Sequence, residues 1–223
     1  MAVALTHTAQ GAVTGGTVVT IEADLSRGLH SFSIVGLPGK AIEEAKDRVS
    51  SAIKNSGFSS PKSKNHKIVI SLAPADIKKE GPLFDLPIAM AYLIAAEEVT
   101  ADSAKRMYVG ELSLNGELRP VRGVLPIVQT AQSHGFNEII VPKGNAQEAA
   151  LVDGINVFPA DTLQEVIAHV TTNEEKKSLL TAQELTHMSE QWTDGLTRME
   201  DIKGQESAKR GLLIAAAGRH NVI

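Results

Sequence analysis

The stretch Ala73-Pro74-Ala75-Asp76-Ile77-Lys78-Lys79-Glu80-Gly81-Pro82-Leu83-Phe84-Asp85-Leu86-Pro87-Ile88-Ala89 decides how this 223-residue chain is read. Its glycine and prolines punctuate the backbone and then open directly into residues 85–97. Apolar side chains occupy nearly every face of that segment, the pattern of a core helix. A turn of this kind can hold one side chain at a helix N-terminus, where aligned peptide dipoles stabilise an anion. A serine there would suggest a hydrolase. Leu83 stands there instead, and leucine carries no nucleophile.

On either side of this stretch, β-branched runs alternate with helical patterns. Residues 17–23, 31–35, 67–72 and 138–141 read as strands. Residues 40–54 place Ala41, Ala45, Val49 and Ile53 at four-residue steps, which makes one buried stripe. The opposite face offers Glu44 and Arg48 as an i,i+4 pair worth ~0.3 kcal/mol. A helix over 123–134 follows a hairpin signal at Leu114-Asn115-Gly116-Glu117, where Asn-Gly favours a type I′ turn with positive φ at both central residues. A last short helix over 161–170 takes Asp161 or Thr162 as its cap. A hairpin combined with strand–helix alternation points to a mixed α/β fold, with a mixed sheet packed on helices and not a purely parallel one.

This pattern defines a first domain over 1–170. Residues 171–197 are polar and mildly acidic, with Leu185, Met188 and Trp192 at helical spacing, and read as a linker helix. A new pattern starts at Arg198. Residues 205–217 form a helix with Gly218 as its C-terminal cap, and His220-Asn221-Val222-Ile223 opens an apolar run that stops inside an apparent strand. Residues 198–223 therefore read as the truncated start of a further module.

Composition removes several function classes. Lys and Arg number 22 against 26 Asp and Glu, for a net charge of −4, so only a local patch would attract nucleic acid. The absence of cysteine excludes disulfides, cysteine-ligated zinc and a thiol nucleophile, and suits a reducing cytoplasm. The longest apolar run, 86–96, is too short for a bilayer and contains a proline, and the N-terminus lacks the pattern of a signal peptide. A cytoplasmic protein without membrane contact is expected.

Three further features bear on chemistry. Gly36-Leu37-Pro38-Gly39-Lys40 is no phosphate loop, because two residues instead of four separate its glycines and Ala41 follows the lysine. It reads as a tight turn feeding a helix. The seven histidines include no pair at zinc-hydrolase spacing, so no metal site is expected. Residues 61–79 carry Lys62, Lys64, Lys67, Lys78 and Lys79 against a single acid, Asp76. Such a local patch can contact phosphates in a salt-dependent way, and Lys62, Lys64 and Lys67 are the candidate DNA-binding residues. A solvated loop before a strand is the plainer reading of the same residues.

These motifs together resemble the magnesium-chelatase-like AAA+ ATPases of the ComM/YifB type. The matching phrases include Val35-Gly36-Leu37-Pro38-Gly39, Leu72-Ala73-Pro74-Ala75-Asp76, Lys79-Glu80-Gly81-Pro82 and Phe84-Asp85-Leu86-Pro87-Ile88-Ala89. Gly116-Glu117-Leu118-Arg119-Pro120-Val121 and Gly123-Val124-Leu125-Pro126 continue the match, and Gly204-Gln205 with Ala208-Lys209-Arg210 looks like the opening of the ATPase module.

The resemblance implies a Lon-protease-like domain related to the ribosomal protein S5 domain 2-like fold. Lon-type enzymes use a serine and a lysine, and the matching positions here are Leu83 and Leu125. Nucleophile and base are thus lost together, and no catalytic residue is expected in the chain. The resemblance further implies ATP and Mg2+ in the parent protein. Ile202, Gly204 and Gln205 fall in the segment that flanks adenine, but the phosphate loop of the family would come after this sequence, so no bound cofactor is expected. The implied parent is a hexameric DNA helicase or branch-migration factor in recombination or natural transformation, with DNA and further copies of itself as partners. The alternatives are a magnesium-chelatase motor subunit for metal insertion, or a protein-interaction module with no DNA role.

Overall fold

The computed structural model describes residues 3–11, 15–63, 65–187 and 198–222. The chain divides into two compact units, 1–186 and 187–223.

The first unit is built on a four-stranded sheet of β1 (Ala4–Gln10), β2 (Thr17–Arg27), β3 (Ser31–Val35) and β4 (His66–Ala73), in the order β1-β2-β4-β3. Both β1/β2 and β2/β4 are antiparallel, whereas β3/β4 is parallel, so the sheet is mixed as expected. The two-residue period of a strand explains which face is inner. Val19, Ile21, Ala23 and Leu25 of β2 and Ile68, Ile70 and Leu72 of β4 are buried there. Strand β1 lacks the sequence signal of the other three, because its inner face carries two threonines. Thr6 and Thr8 are fully buried, and Thr6 Oγ1 donates to the Pro87 carbonyl at 2.9 Å.

Helices α1 (Lys40–Asn55) and α2 (Asp85–Ala95) cover that inner face. α2 is apolar almost all round because it packs against α1 on one side and β1 and β2 on the other. The α1 stripe contains Ala45, Val49 and Ile53 as expected, but Ile42 and Ala52 are buried in it and Ala41 is only half-buried.

A second sheet holds β5 (Arg106–Tyr108), β8 (Glu138–Pro142) and β9 (Asn156–Ala160), all parallel, in the order β5-β8-β9. Between β5 and β8 lie the hairpin β6 (Glu111–Leu112) and β7 (Leu118–Arg119), then helix α3 (Val124–Ser133). α4 (Ala146–Ala149) precedes β9 and α5 (Leu163–Val170) follows it, with the Thr162 hydroxyl accepting the Glu165 N–H as N-cap.

Three local expectations are corrected. The Asn115-Gly116 turn is not type I′, because positive φ occurs at Gly116 alone. Gly116 N–H donates to Ser113 O and Ser113 N–H to Glu117 O, so the loop is a three-residue turn closed by a glycine bulge. The linker helix does not form over 178–187. Ser178, Gln183 and Thr186, at the end of the first unit, instead donate to Ala168, Val157 and Ala150. Met188 and Trp192 lie outside the described residues.

In the second unit, α6 (Glu206–Gly218) includes Gly218 within the helix. Arg219, not the glycine, takes the left-handed position at its end (φ 53°).

Candidate functional site

Leu83 forms part of the floor of an open cleft of about 960 Å3. The residue sits in a single 3-10 turn, Pro82–Phe84, entered through Gly81 at φ +91°. Its carbonyl accepts the Gly110 N–H at 3.1 Å, and the Leu86 N–H donates to Gly110 O, so the turn is clamped to the strand end after β5. One wall comes from the ends of β1 and β2 at Gln10, Gly11, Gly15 and Gly16. α3 supplies the other through Pro126, Ile127 and Thr130, with His134 beyond, and Glu80 and Arg122 also line the space. The walls meet closely: a Cβ on Gly16 would collide with the Thr130 hydroxyl. The Gln10 amide ties β1 to the loop before Leu83, donating to Lys78 O at 3.2 Å and accepting the Glu80 N–H at 3.1 Å.

Leu125 lies on the first turn of α3, half-buried, between the cleft residues Gly123 and Pro126. Its N–H donates to Glu148 Oε1 at 3.0 Å. The hydroxyls in the cleft are held by the helix. Thr130 Oγ1 donates to Pro126 O at 2.7 Å and Ser133 Oγ to Thr130 O at 3.0 Å. His134 Nδ1 lies 3.3 Å from Ser133 Oγ but 2.8 Å from Thr130 O. Ser133 Oγ and His134 Nδ1 thus both turn to the Thr130 carbonyl, and the contact between the two side chains is the longest of the three. A serine and a histidine therefore meet in the cleft without the base–nucleophile relation that acyl transfer needs.

Two buried charges brace this floor. Lys79 is fully buried, with Nζ donating to Gly36 O at 3.0 Å and to Pro74 O. Burial pulls its ammonium below the usual lysine range, against the opposing pull of Asp76. Asp85, at the head of α2, is fully buried and paired with Arg48 in a two-pronged contact, Nε to Oδ2 at 2.8 Å and Nη2 to Oδ1 at 3.0 Å. The Leu112 N–H adds a third bond at 3.2 Å. Arg48 thus does not pair with Glu44, as its spacing suggested. It reaches a carboxylate in the core, and Glu44 faces Lys40 at 3.9 Å. Burial pushes the Asp85 carboxyl up to about 6, with Arg48 and Leu112 pulling the other way.

The folded-state value lies above the unfolded one, so this group's contribution to stability is fully present below about pH 4 and is lost as pH rises through about 6. Thermal unfolding of wild type and Asp85→Asn across pH 4–7 tests the sign. The wild-type Tm is expected to fall relative to the variant's over that range, and a difference that stays flat or grows would contradict it.

The sequence-predicted lysines are scattered in role. Lys62 is exposed and bound to Asp47 at 2.6 Å, Lys67 is exposed on β4, and Lys64 lies outside the described residues. Lys78 pairs with Glu80 at 2.6 Å, and Lys79, grouped with them by sequence, is buried. In the second unit Ile202 is 36% exposed, and Gly204 and Gln205 both take positive φ at the entry to α6. Those residues offer one apolar side chain and a kinked backbone, and no Gly-Lys phosphate loop occurs in the 223 residues. Among the described residues no cluster of three metal-ligating side chains occurs, and no helix is long and apolar enough to cross a membrane.

The family model described as subunit ChlI of Mg-chelatase matches residues 21–145, and that described as magnesium chelatase, subunit ChlI, matches 198–223. Competence protein ComM of Haemophilus influenzae is 44% identical over 210 residues, covering 92% of this chain and 40% of the relative. The YifB protein of Escherichia coli is 41% identical over 229 residues, covering 100% of this chain and 42% of the relative. Lon protease 2 of Bacillus subtilis is 28% identical over 173 residues, covering 71% of this chain and 31% of the protease. The chain belongs to the Mg-chelatase ChlI family together with ComM and YifB, and its first unit is a Lon-like domain. It spans about two-fifths of the length of the ComM and YifB relatives.

Proposed function

We propose that this chain is the non-catalytic N-terminal part of a cytoplasmic, ATP-driven ring motor on DNA, similar to ComM, that acts as a helicase or branch-migration factor in recombination or natural transformation. The observation that carries the reading is the cleft: a hydrolase-like scaffold keeps its shape while Leu83 lines the floor and the nearby serine has no base. In this proposal residues 1–170 are the Lon-like domain, 171–197 a linker and 198–223 the start of the ATPase module. ATP and Mg2+ belong to the parent protein, with Ile202, Gly204 and Gln205 on the adenine side. Copies of the chain assemble as a hexamer, and Lys62, Lys64 and Lys67 contact DNA phosphates.

The test is the ATPase rate of the whole protein with and without single-stranded DNA. A severalfold rise with DNA is expected. A rate indifferent to DNA would overturn the reading. Reversing Lys62, Lys64 and Lys67 to glutamate is expected to abolish DNA binding by the whole protein at low salt, since three phosphate contacts correspond to a salt slope of about −2 to −3. Unchanged binding would remove these lysines from the interface.

A second reading, a motor subunit for metal insertion, is favoured by the wording of both family descriptions. It expects stimulation by chelatase partner subunits and none by DNA. A protein-interaction module with no DNA role expects no DNA shift even in low salt.

A further inference from the structure

β2 and β3 are consecutive in sequence but not adjacent in the sheet, because β4 lies between them. Gly28, Leu29 and His30 therefore arch over the start of β4, and the Gly28 N–H donates to Asn65 O at 3.2 Å to fix the arch from beneath. Leu29 stands at its crown, 93% exposed. Single exposed leucines are common on protein surfaces and mean little alone. The charge around this one distinguishes it.

Strand alternation sends neighbouring residues to opposite faces of the sheet. Arg27 and His66 are register partners on one face, while Lys67 lies between Ser26 and Ser31 on the other. A cation thus flanks the arch on each side. Residues 25–31 and 60–69 contain no Asp or Glu. Lys67 takes part in none of the ion pairs among the described residues, including with Asp24, the acid one step back on its own face.

We infer that the β2–β3 arch is a wedge for the fork of a partly opened DNA duplex: Leu29 unstacks the junction base pair while Arg27 and Lys67 hold the two diverging phosphate backbones. The inference rests on the DNA reading given above and adds to it the site and the form of DNA. An aliphatic side chain inserted between base steps is an established way to unstack a duplex. Single-strand binding calls instead for a series of aromatic platforms along one basic groove, and the arch contains no Phe, Tyr or Trp. A protein partner would want a continuous apolar patch, whereas the chain neighbours of Leu29 at positions 27, 30 and 31 are polar and exposed.

The experiment uses the full 223-residue chain at low salt with three fluorescent oligonucleotides: a fork, a blunt duplex and a single strand. The fork carries 2-aminopurine at its junction. Wild type is expected to prefer the fork over the duplex by about tenfold and to raise the junction fluorescence, as unstacking requires. Leu29→Ser is expected to abolish both the preference and the fluorescence rise while keeping single-strand affinity and Tm. Arg27→Ala and Lys67→Ala are each expected to weaken binding to all three and to reduce the salt slope by about 0.9 on the duplex and about 0.7 on the single strand. Fork preference and fluorescence unchanged in Leu29→Ser would overturn the wedge and leave the DNA reading standing. No binding of any DNA by wild type would overturn both.

Discussion

Replacing Asp85 by alanine is expected to lower stability by about 3–5 kcal/mol, because it leaves the Arg48 guanidinium half-buried without its counter-charge. The Leu112 N–H loses its acceptor at the same time. For a unit of this size the change corresponds to a Tm drop of about 10 °C. The prediction has an internal control. A buried ion pair is a poor source of net stability, since desolvation offsets most of its attraction, so removing both partners costs less than removing one. Arg48→Met with Asp85→Leu is therefore expected to recover most of the loss. Equal destabilisation by the single and double variants would show that Asp85 acts through packing alone, and the pairing argument would fail.

Gly36→Ala is expected to cost about 3 kcal/mol or more, the second large effect. Gly36 sits at φ +97°, where an L-residue is strained, and an added Cβ would run into the Leu72 carbonyl of β4. Its own carbonyl accepts from Lys79, so any shift that relieves the collision also disturbs the buried ammonium. Gly57→Ala separates the two contributions. Gly57 has φ +90° but nothing within 4 Å of the new atom, so only the dihedral cost remains, about 1 kcal/mol. Urea unfolding of the two variants checks the difference, and equal costs would remove the steric argument.

Much of the fold was legible because its signals were local. The runs at 17–23, 31–35, 67–72 and 138–141 lie within β2, β3, β4 and β8, and α1, α2, α3 and α5 appear within a few residues of their expected bounds. β1 carries no such signal because burying Thr6 and Thr8 inverts the usual apolar-in pattern, and the carbonyl that satisfies Thr6 belongs to Pro87, 81 residues away. Arg48 departs from its sequence pattern for a related reason. Its i,i+4 neighbour was visible in the sequence and its real partner, 37 residues on, was not. A signal did exist: a carboxylate heading an otherwise apolar helix must find a buried cation. Lys79 counts with the exposed lysines in the sequence because charge counting does not register burial, and one of its two carbonyl partners, Gly36, lies 43 residues away. The place of Leu83 is readable from the Gly-Pro turn, but the turning of Ser133 and His134 toward the Thr130 carbonyl follows only from the helix geometry.

The most direct test of a hydrolase-like scaffold without hydrolase chemistry is a peptidase assay. The full chain is incubated with an unfolded protein substrate and products are followed by mass spectrometry over hours. The expected result is no cleavage above a buffer control. Cleavage that grows with time and disappears in Ser133→Ala or His134→Ala would contradict it, because the cleft would then hold the working nucleophile that its hydrogen bonds deny.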